Sequence, residues 1–184
     1  MSSDGNVLIF AASNDIKESF YTPKIDIYVS IKDQQGQFGV PFPIGSDINT
    51  TLGQERSPFL HMDMKTIYFS SDGHGGLGGT DVFMSTRLDN TWTKWSKPKN
   101  LGKEINTLEN DWGYNLSVSA SSEIAYLSSD DFNWGFQSDL YATGIPTRVK
   151  AEPMKVVTAK LKRNSKKPIN GSTIIIIKDD NGTE

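Results

Sequence analysis

The stretch SSDGHGGLGGTDVFMS, Ser70 to Ser85, places five glycines and three potential ligand side chains, Asp72, His74 and Asp81, within sixteen residues. Two readings compete. A glycine-rich loop that cradles phosphate or metal would make this an active site; a connection between two strands would make it a landmark of the fold. A Walker loop needs G-x-x-x-x-G-K-[ST], and no lysine lies between Lys65 and Lys94. A dinucleotide fingerprint needs a helix after the loop, whereas DVFMS, rich in β-branched and aromatic residues, reads as a strand. The calcium nonapeptide G-G-x-G-x-D has one residue fewer than Gly75–Asp81, and it needs tandem copies.

The decisive observation is that the flanks of this loop recur. NVLIFAAS (6–13), KTIYFSS (65–71) and EIAYLSS (123–129) match in order and character. So do KIDIYVS (24–30), GTDVFMS (79–85) and QSDLYAT (137–143), whose aspartates are Asp26, Asp81 and Asp139. PIGSDINT (43–50) matches NLGKEINT (100–107), again near a period of 57 residues. The sister loops, 14–24 and 130–138, are poor in glycine, and only the aspartate after the loop persists. A ligand mechanism shared by the repeats would need the glycines in each. The glycines are therefore expected to supply positive φ for a tight connection. Asp26, Asp81 and Asp139 are expected to be structural positions that accept backbone N–H bonds at strand starts.

Within one period the pattern is all strand. SPFLH (57–61), a turn at MDMK, TIYFSS (66–71), the glycine loop, DVFMSTRL (81–88), a turn at Asp89-Asn90 and TWTKWS (91–96) read as four short strands. Four such strands at a fixed repeat describe one blade of a β-propeller. Three blades are countable in residues 1–146, the first without its opening strand. The predicted fold class is all-β: a partial β-propeller of about three four-stranded blades, followed by the first strands of a β-sandwich.

Composition agrees with a packed domain and narrows the chemistry. Hydrophobic residues make up 36% of the 184-residue chain, enough for a core. Residues 1–150 carry 12 Lys/Arg and 18 Asp/Glu, whereas residues 151–184 carry 7 and 4. An acidic main body argues against a nucleic-acid backbone partner, and the change of sign marks a boundary near Lys150. The absence of cysteine excludes disulfides, thiolate zinc sites and cysteine nucleophiles. The longest aliphatic run, Ile174–Ile177, is far shorter than the roughly 18 residues of a membrane span. MSSDGNVLIF lacks the basic and apolar regions of a signal peptide.

The segment SPFLHMDMKTIYFSSDGHGGLGGTDVFMSTRLDNTWTKWSKPKNLGKEINT resembles the WD40-like, TolB-type propeller repeat. It is similar in particular to the version found in OmpA-family and type IX secretion-associated envelope proteins of Bacteroidota. The resemblance covers residues 1–146. VVTAKLKRNSKKPINGSTIIIIKDDNGTE (156–184) resembles the opening of a carboxypeptidase-regulatory-like β-sandwich, with a basic linker at 147–155. Three countable blades fall short of a closed propeller, so the chain is expected to be an internal piece of a longer protein, the alternative being that its three blades pair with another copy. The resemblance implies a periplasmic or outer-membrane-associated protein working among envelope proteins. A peptidoglycan contact would run through a C-terminal domain that this chain does not include.

No catalytic constellation is expected. His61 and His74 are the two histidines, there is no G-x-S-x-G elbow and no H-E-x-x-H motif, and no cofactor or metal is assigned. Loop carboxylates such as Asp130-Asp131 and Glu109/Asp111 are read as solvated. The aromatics are the better candidates for partner or glycan contact: Trp134, Phe132, Trp112 and Tyr114, with His74 beside them. Trp92 and Trp95, placed on the last strand of the middle blade, are read as packing between blades. The expected function is a non-enzymatic envelope scaffold binding proteins through propeller surfaces. The alternatives are a carbohydrate- or peptidoglycan-binding module using the loop aromatics, or part of a propeller-containing peptidase.

Overall fold

The structure, a computed structural model, describes residues 1–13, 24–118, 123–130 and 138–151. The chain divides into two compact units, 1–151 and 152–184, and the described residues all belong to the first. The strands expected at 156–184 lie outside the described residues. The chain is all-β, and no α-helix occurs among the described residues.

Three antiparallel sheets follow one another along the sequence. The first holds β1 (Val7–Ser13), β2 (Ile25–Ile31) and β3 (Phe42–Pro43), in that order. The second holds β4 (Glu55–Leu60), β5 (Thr66–Ser71), β6 (Asp81–Thr86) and β7 (Lys99–Asn100). The third holds β8 (Asp111–Val118), β9 (Glu123–Asp130) and β10 (Ser138–Gly144). None closes on itself, an arrangement compatible with part of a propeller.

The repeat survives as register. Asp26 stands opposite Ala12, Asp81 opposite Ser71 and Asp139 opposite Ser129. Two further features repeat without having been visible in the sequence pattern. β4 and β8 each shift register, between Arg56 and Phe59 and between Trp112 and Asn115. Each shift contains a residue in the left-handed region, Ser57 (φ 48°) and Gly113 (φ 65°). A bulge bends its strand and raises the local twist, so the first strand of each complete sheet is turned alike.

Alternation along the strands builds two cores. Ile67 and Phe69 point into one with Ile9, Ile27 and Trp95, between the first and second sheets. Tyr68 points the other way, into a core with Val82, Tyr114 and Leu127 between the second and third. All six residues of β5 are buried because both its faces are covered.

One expectation is corrected. TWTKWS is not the fourth strand; that place belongs to β7, two polar residues long. Trp92 takes φ 64° in a turn, and only Trp95 makes an isolated bridge, to Arg87. Both indoles are nevertheless buried in the first core, and Trp95 Nε1 donates to the Trp92 carbonyl (3.1 Å). A turn suits them better because it tips both rings onto the neighbouring sheet, which strand alternation would not. The first residues of the segment read as a linker pack on the sheets. A 3₁₀ turn at Thr147–Val149 buries Val149, whose carbonyl accepts the Tyr68 hydroxyl (2.9 Å).

Candidate functional site

Three connections meet along one edge of the sheets: 44–54 from β3 to β4, 72–80 from β5 to β6, and 101–110 from β7 to β8. The glycine loop occupies the middle. On one side the Gln54 N–H donates to Asp72 Oδ1 (2.6 Å), and His74 Nε2 donates to the Ile48 carbonyl (2.6 Å). On the other, the Gly79 N–H donates to the Glu109 carbonyl (3.0 Å) and the Thr80 N–H to Asn110 Oδ1 (3.1 Å).

Close approach, more than positive φ, explains the glycines. Among Gly75, Gly76, Gly78 and Gly79 only Gly75 has positive φ, at 70°. A Cβ on Gly76 would stand 1.4 Å from Asp81 Oδ2, and one on Gly78 would stand 2.1 Å from the Glu109 carbonyl oxygen. The loop is rich in glycine because it is wedged between the Asp81 carboxylate and the next sheet's connection. This corrects the conformational reason given by the sequence.

Asp81 is buried at the start of β6 and accepts the Leu77 N–H (2.5 Å), the Gly78 N–H (3.4 Å) and Asn100 Nδ2 (3.2 Å). Its sisters differ. Asp26 is half-buried and paired with Lys24 (2.9 Å), whereas Asp139 is exposed on β10. One sequence position thus has three environments.

The same edge carries two buried carboxylates at equivalent positions. Glu55 Oε1 accepts the hydroxyls of Thr50 (2.9 Å) and Ser71 (3.0 Å). Asp111 Oδ2 accepts the Thr107 N–H (2.7 Å) and hydroxyl (3.1 Å). Glu55 Oε2 and Asp111 Oδ1 have no hydrogen-bond partner among the described residues. Burial pushes the Glu55 carboxyl above its ordinary value, only partly offset by the two hydroxyls. At the opposite edge, in the β4–β5 turn, burial raises Asp63 but is outweighed. His61, the Thr66 and Lys65 amides and the Thr66 hydroxyl together hold it below the usual carboxylate range.

An asparagine clamp is the feature that sequence reading passed over. Asn49 Oδ1 accepts the Ile27 N–H (2.9 Å) and its Nδ2 donates to the Ile27 carbonyl (3.0 Å). Asn106 holds Val82 in the same way, at 2.8 and 2.9 Å. Both belong to the repeated I-N-T, whose recurrence was the available signal.

The aromatic candidates among the described residues, Tyr114 and Trp112, and His74 have separate surroundings. Tyr114 is fully buried with its ring centroid 5.0 Å from that of Tyr68, and burial raises its phenol. Trp112 is half-buried with the Arg56 guanidinium 6.0 Å from its ring centroid. His74 packs edge-on to Phe69 (5.6 Å) and near Phe83 (5.4 Å). Phe132 and Trp134 lie outside the described residues. No group of three or more His, Asp or Glu side chains able to hold a metal occurs among the described residues. Among the described residues no helix is long and apolar enough to cross a membrane.

Besides the exposed charges Asp47, Asp72, Lys103 and Glu104, the edge presents apolar side chains. Leu52 is 98% exposed, Leu108 77% and Leu77 46%, one on each of the three connections. No protein-family model matches the chain, and no curated protein matches its sequence.

Proposed function

We propose that this chain is a non-enzymatic binding module of the cell envelope, with the loop edge of its sheets as the contact surface for a protein partner. The observation that carries the reading is the contrast along that edge. Its buried and half-buried polar side chains, Asp81, Glu55, Asp111, His74 and Asn106, make bonds that hold the loops, while Leu52, Leu77 and Leu108 stand exposed, one on each connection. Exposed leucines on short, internally bonded connections are preorganised, so a partner gains apolar burial with little ordering cost. The resemblance to WD40-like repeats of OmpA-family proteins supports an envelope setting, periplasmic or at the outer membrane. It also suggests complexes of the secretion or gliding type.

The test is capture of envelope proteins with the full chain, against a Leu52→Ser/Leu108→Ser double variant. A defined envelope partner retained by the native chain and lost by the variant is the expected result. Absence of any stable partner, or equal retention by both, refutes the reading.

A further inference from the structure

An open groove of about 550 Å³ lies on the loop edge, between the glycine loop and the turn that follows β7. One wall is the backbone of Gly75 and Gly76 with the exposed side chain of Leu77. The other is Gly102, Lys103 and Glu104, and Arg148 reaches in from the 3₁₀ turn. The charge here runs against that of the domain. Residues 1–150 carry 18 Asp/Glu and 12 Lys/Arg, yet between Asp89 and Glu104 there are four lysines and no acid. Lys103 and Arg148 line the groove, and Lys99 stands beside it, its Nζ donating to the Arg148 carbonyl (2.6 Å). Glu104 is the one acid among the lining residues. Asp81, beneath the loop, already accepts the Leu77 and Gly78 N–H groups and Asn100 Nδ2.

The fold holds the guanidinium in place. Arg148 Nη2 donates to the Leu101 carbonyl (2.8 Å) and meets Glu104 Oε2. The group lies against Gly102, where a Cβ would stand 2.5 Å from Nη2 and 2.8 Å from Nη1. Both of its side-chain bonds among the described residues leave from Nη2, so Nη1 and Nε remain for a further acceptor. A planar fork of donors suits a carboxylate, and Glu104 already supplies an internal example of that contact.

Small-molecule sites bury most of their ligand, whereas this groove is open and covers only part of one. A segment of a larger partner is held by its flanks as well, and Leu77 belongs to the same exposed set as Leu52 and Leu108. We propose that the groove takes an acidic segment of a protein partner, a side-chain carboxylate on Arg148 and Lys103 and an adjoining apolar side chain on Leu77. The inference rests on the loop edge being a protein-binding surface, and it adds the sign of the partner's charge. Glu104 is then a competitor, occupying part of the guanidinium that the incoming carboxylate uses. Exposed pairs of this kind are weak, so the exchange is easy.

An array of short, end-blocked peptides of random composition, probed with the full chain, tests the proposal. Blocked ends leave side chains as the only carboxylates. Peptides that join Asp or Glu to an apolar residue should be enriched, and the best of them should bind more weakly as salt rises, by fluorescence anisotropy. Lys103→Glu should raise its dissociation constant about fivefold or more, and Glu104→Gln should lower it about threefold. Arg148→Gln and Leu77→Ser should weaken binding as well. Lys97→Glu, in the same run of lysines but outside the groove, should leave it unchanged. Lys97, Lys103 and Glu104 are exposed, so their replacement should not move thermal unfolding. Absence of acidic enrichment overturns the proposal, as does a loss in Lys97→Glu equal to that in Lys103→Glu. A captured partner lost by Leu52→Ser/Leu108→Ser but kept by Lys103→Glu overturns it too, and leaves the protein-binding reading of the edge standing.

Discussion

Asn106 closes a ring on Val82: its Oδ1 accepts the Val82 N–H at 2.8 Å while its Nδ2 donates to the Val82 carbonyl at 2.9 Å. The Val82 carbonyl has a second donor, the Leu101 N–H (3.0 Å). Loss of the Asn106 side chain therefore orphans chiefly the buried Val82 N–H. Asn106→Ala is expected to cost about 2–3 kcal/mol. Asn106→Asp should cost more, because it sets a carboxylate oxygen against the Val82 carbonyl. Asn49→Ala, in a half-buried clamp that water can reach, should cost about 1 kcal/mol. Urea unfolding of the three variants measures the order.

The glycine loop separates two kinds of requirement. At Gly75, with φ 70° and no atom within 4 Å of a Cβ, Ala should cost about 1–2 kcal/mol through conformation alone. Gly78→Ala drives a methyl into the Glu109 carbonyl, and the backbone of two sheets must part. Its cost should exceed that of Gly75→Ala and reach about 3 kcal/mol. Gly76→Ala should displace the Asp81 carboxylate and release the Leu77 and Gly78 amides. Thermal unfolding ranks the three, and Gly75→Asn, tolerant of the left-handed region, should recover most of the first loss.

Glu55 gives stability a pH dependence of a particular sign. Its folded pKa lies above the ordinary 4.5, so the native state binds more protons than the unfolded one once the pH passes that value. Stability from this group is present in acid and is lost as pH rises through the folded pKa. Asp63 acts oppositely: its lowered carboxyl contributes above the unfolded value and fails as pH falls through the folded one. Glu55→Gln keeps an oxygen for Thr50 and Ser71 and removes the buried charge. Denaturation midpoints followed from acid to neutral pH should lose their decline above about 4.5 in this variant, and the neutral-pH midpoint should rise.

The paired bulges predict a reciprocal exchange. Gly113 has φ 65° with open space around a Cβ, so Gly113→Ala should cost about 1 kcal/mol. Ser57 holds φ 48° at the equivalent place. Ser57→Gly should stabilise by somewhat less than 1 kcal/mol, because glycine also loses more freedom on folding. Equilibrium unfolding detects both signs.

How far the sequence reached is clearest at three residues. Asp26, Asp81 and Asp139 were legible as one repeated position, and their registers agree. Their environments were not, because burial of Asp81 depends on a glycine loop pressed down by residues 107–110, a contact that no local pattern encodes. Trp92 and Trp95 stood in a run read as a strand, yet they lie in a turn, and both rings belong to the core shared with the neighbouring sheet. Asn49 and Asn106 stood in a repeated I-N-T that served as a landmark; their role needed Ile27 and Val82, more than twenty residues away, beside them.

The sequence by itself determined the central paired strands of each sheet, their order and the period of the repeat. β-branched and aromatic runs favour extended backbone, and turn residues interrupt them at fixed spacing. Tertiary structure decided which side of each sheet is covered, why the glycines are small and which carboxylates are shielded from water. Those properties belong to pairs of segments about one repeat apart, and a side-chain period of two leaves both faces of a strand equivalent until a neighbouring sheet arrives.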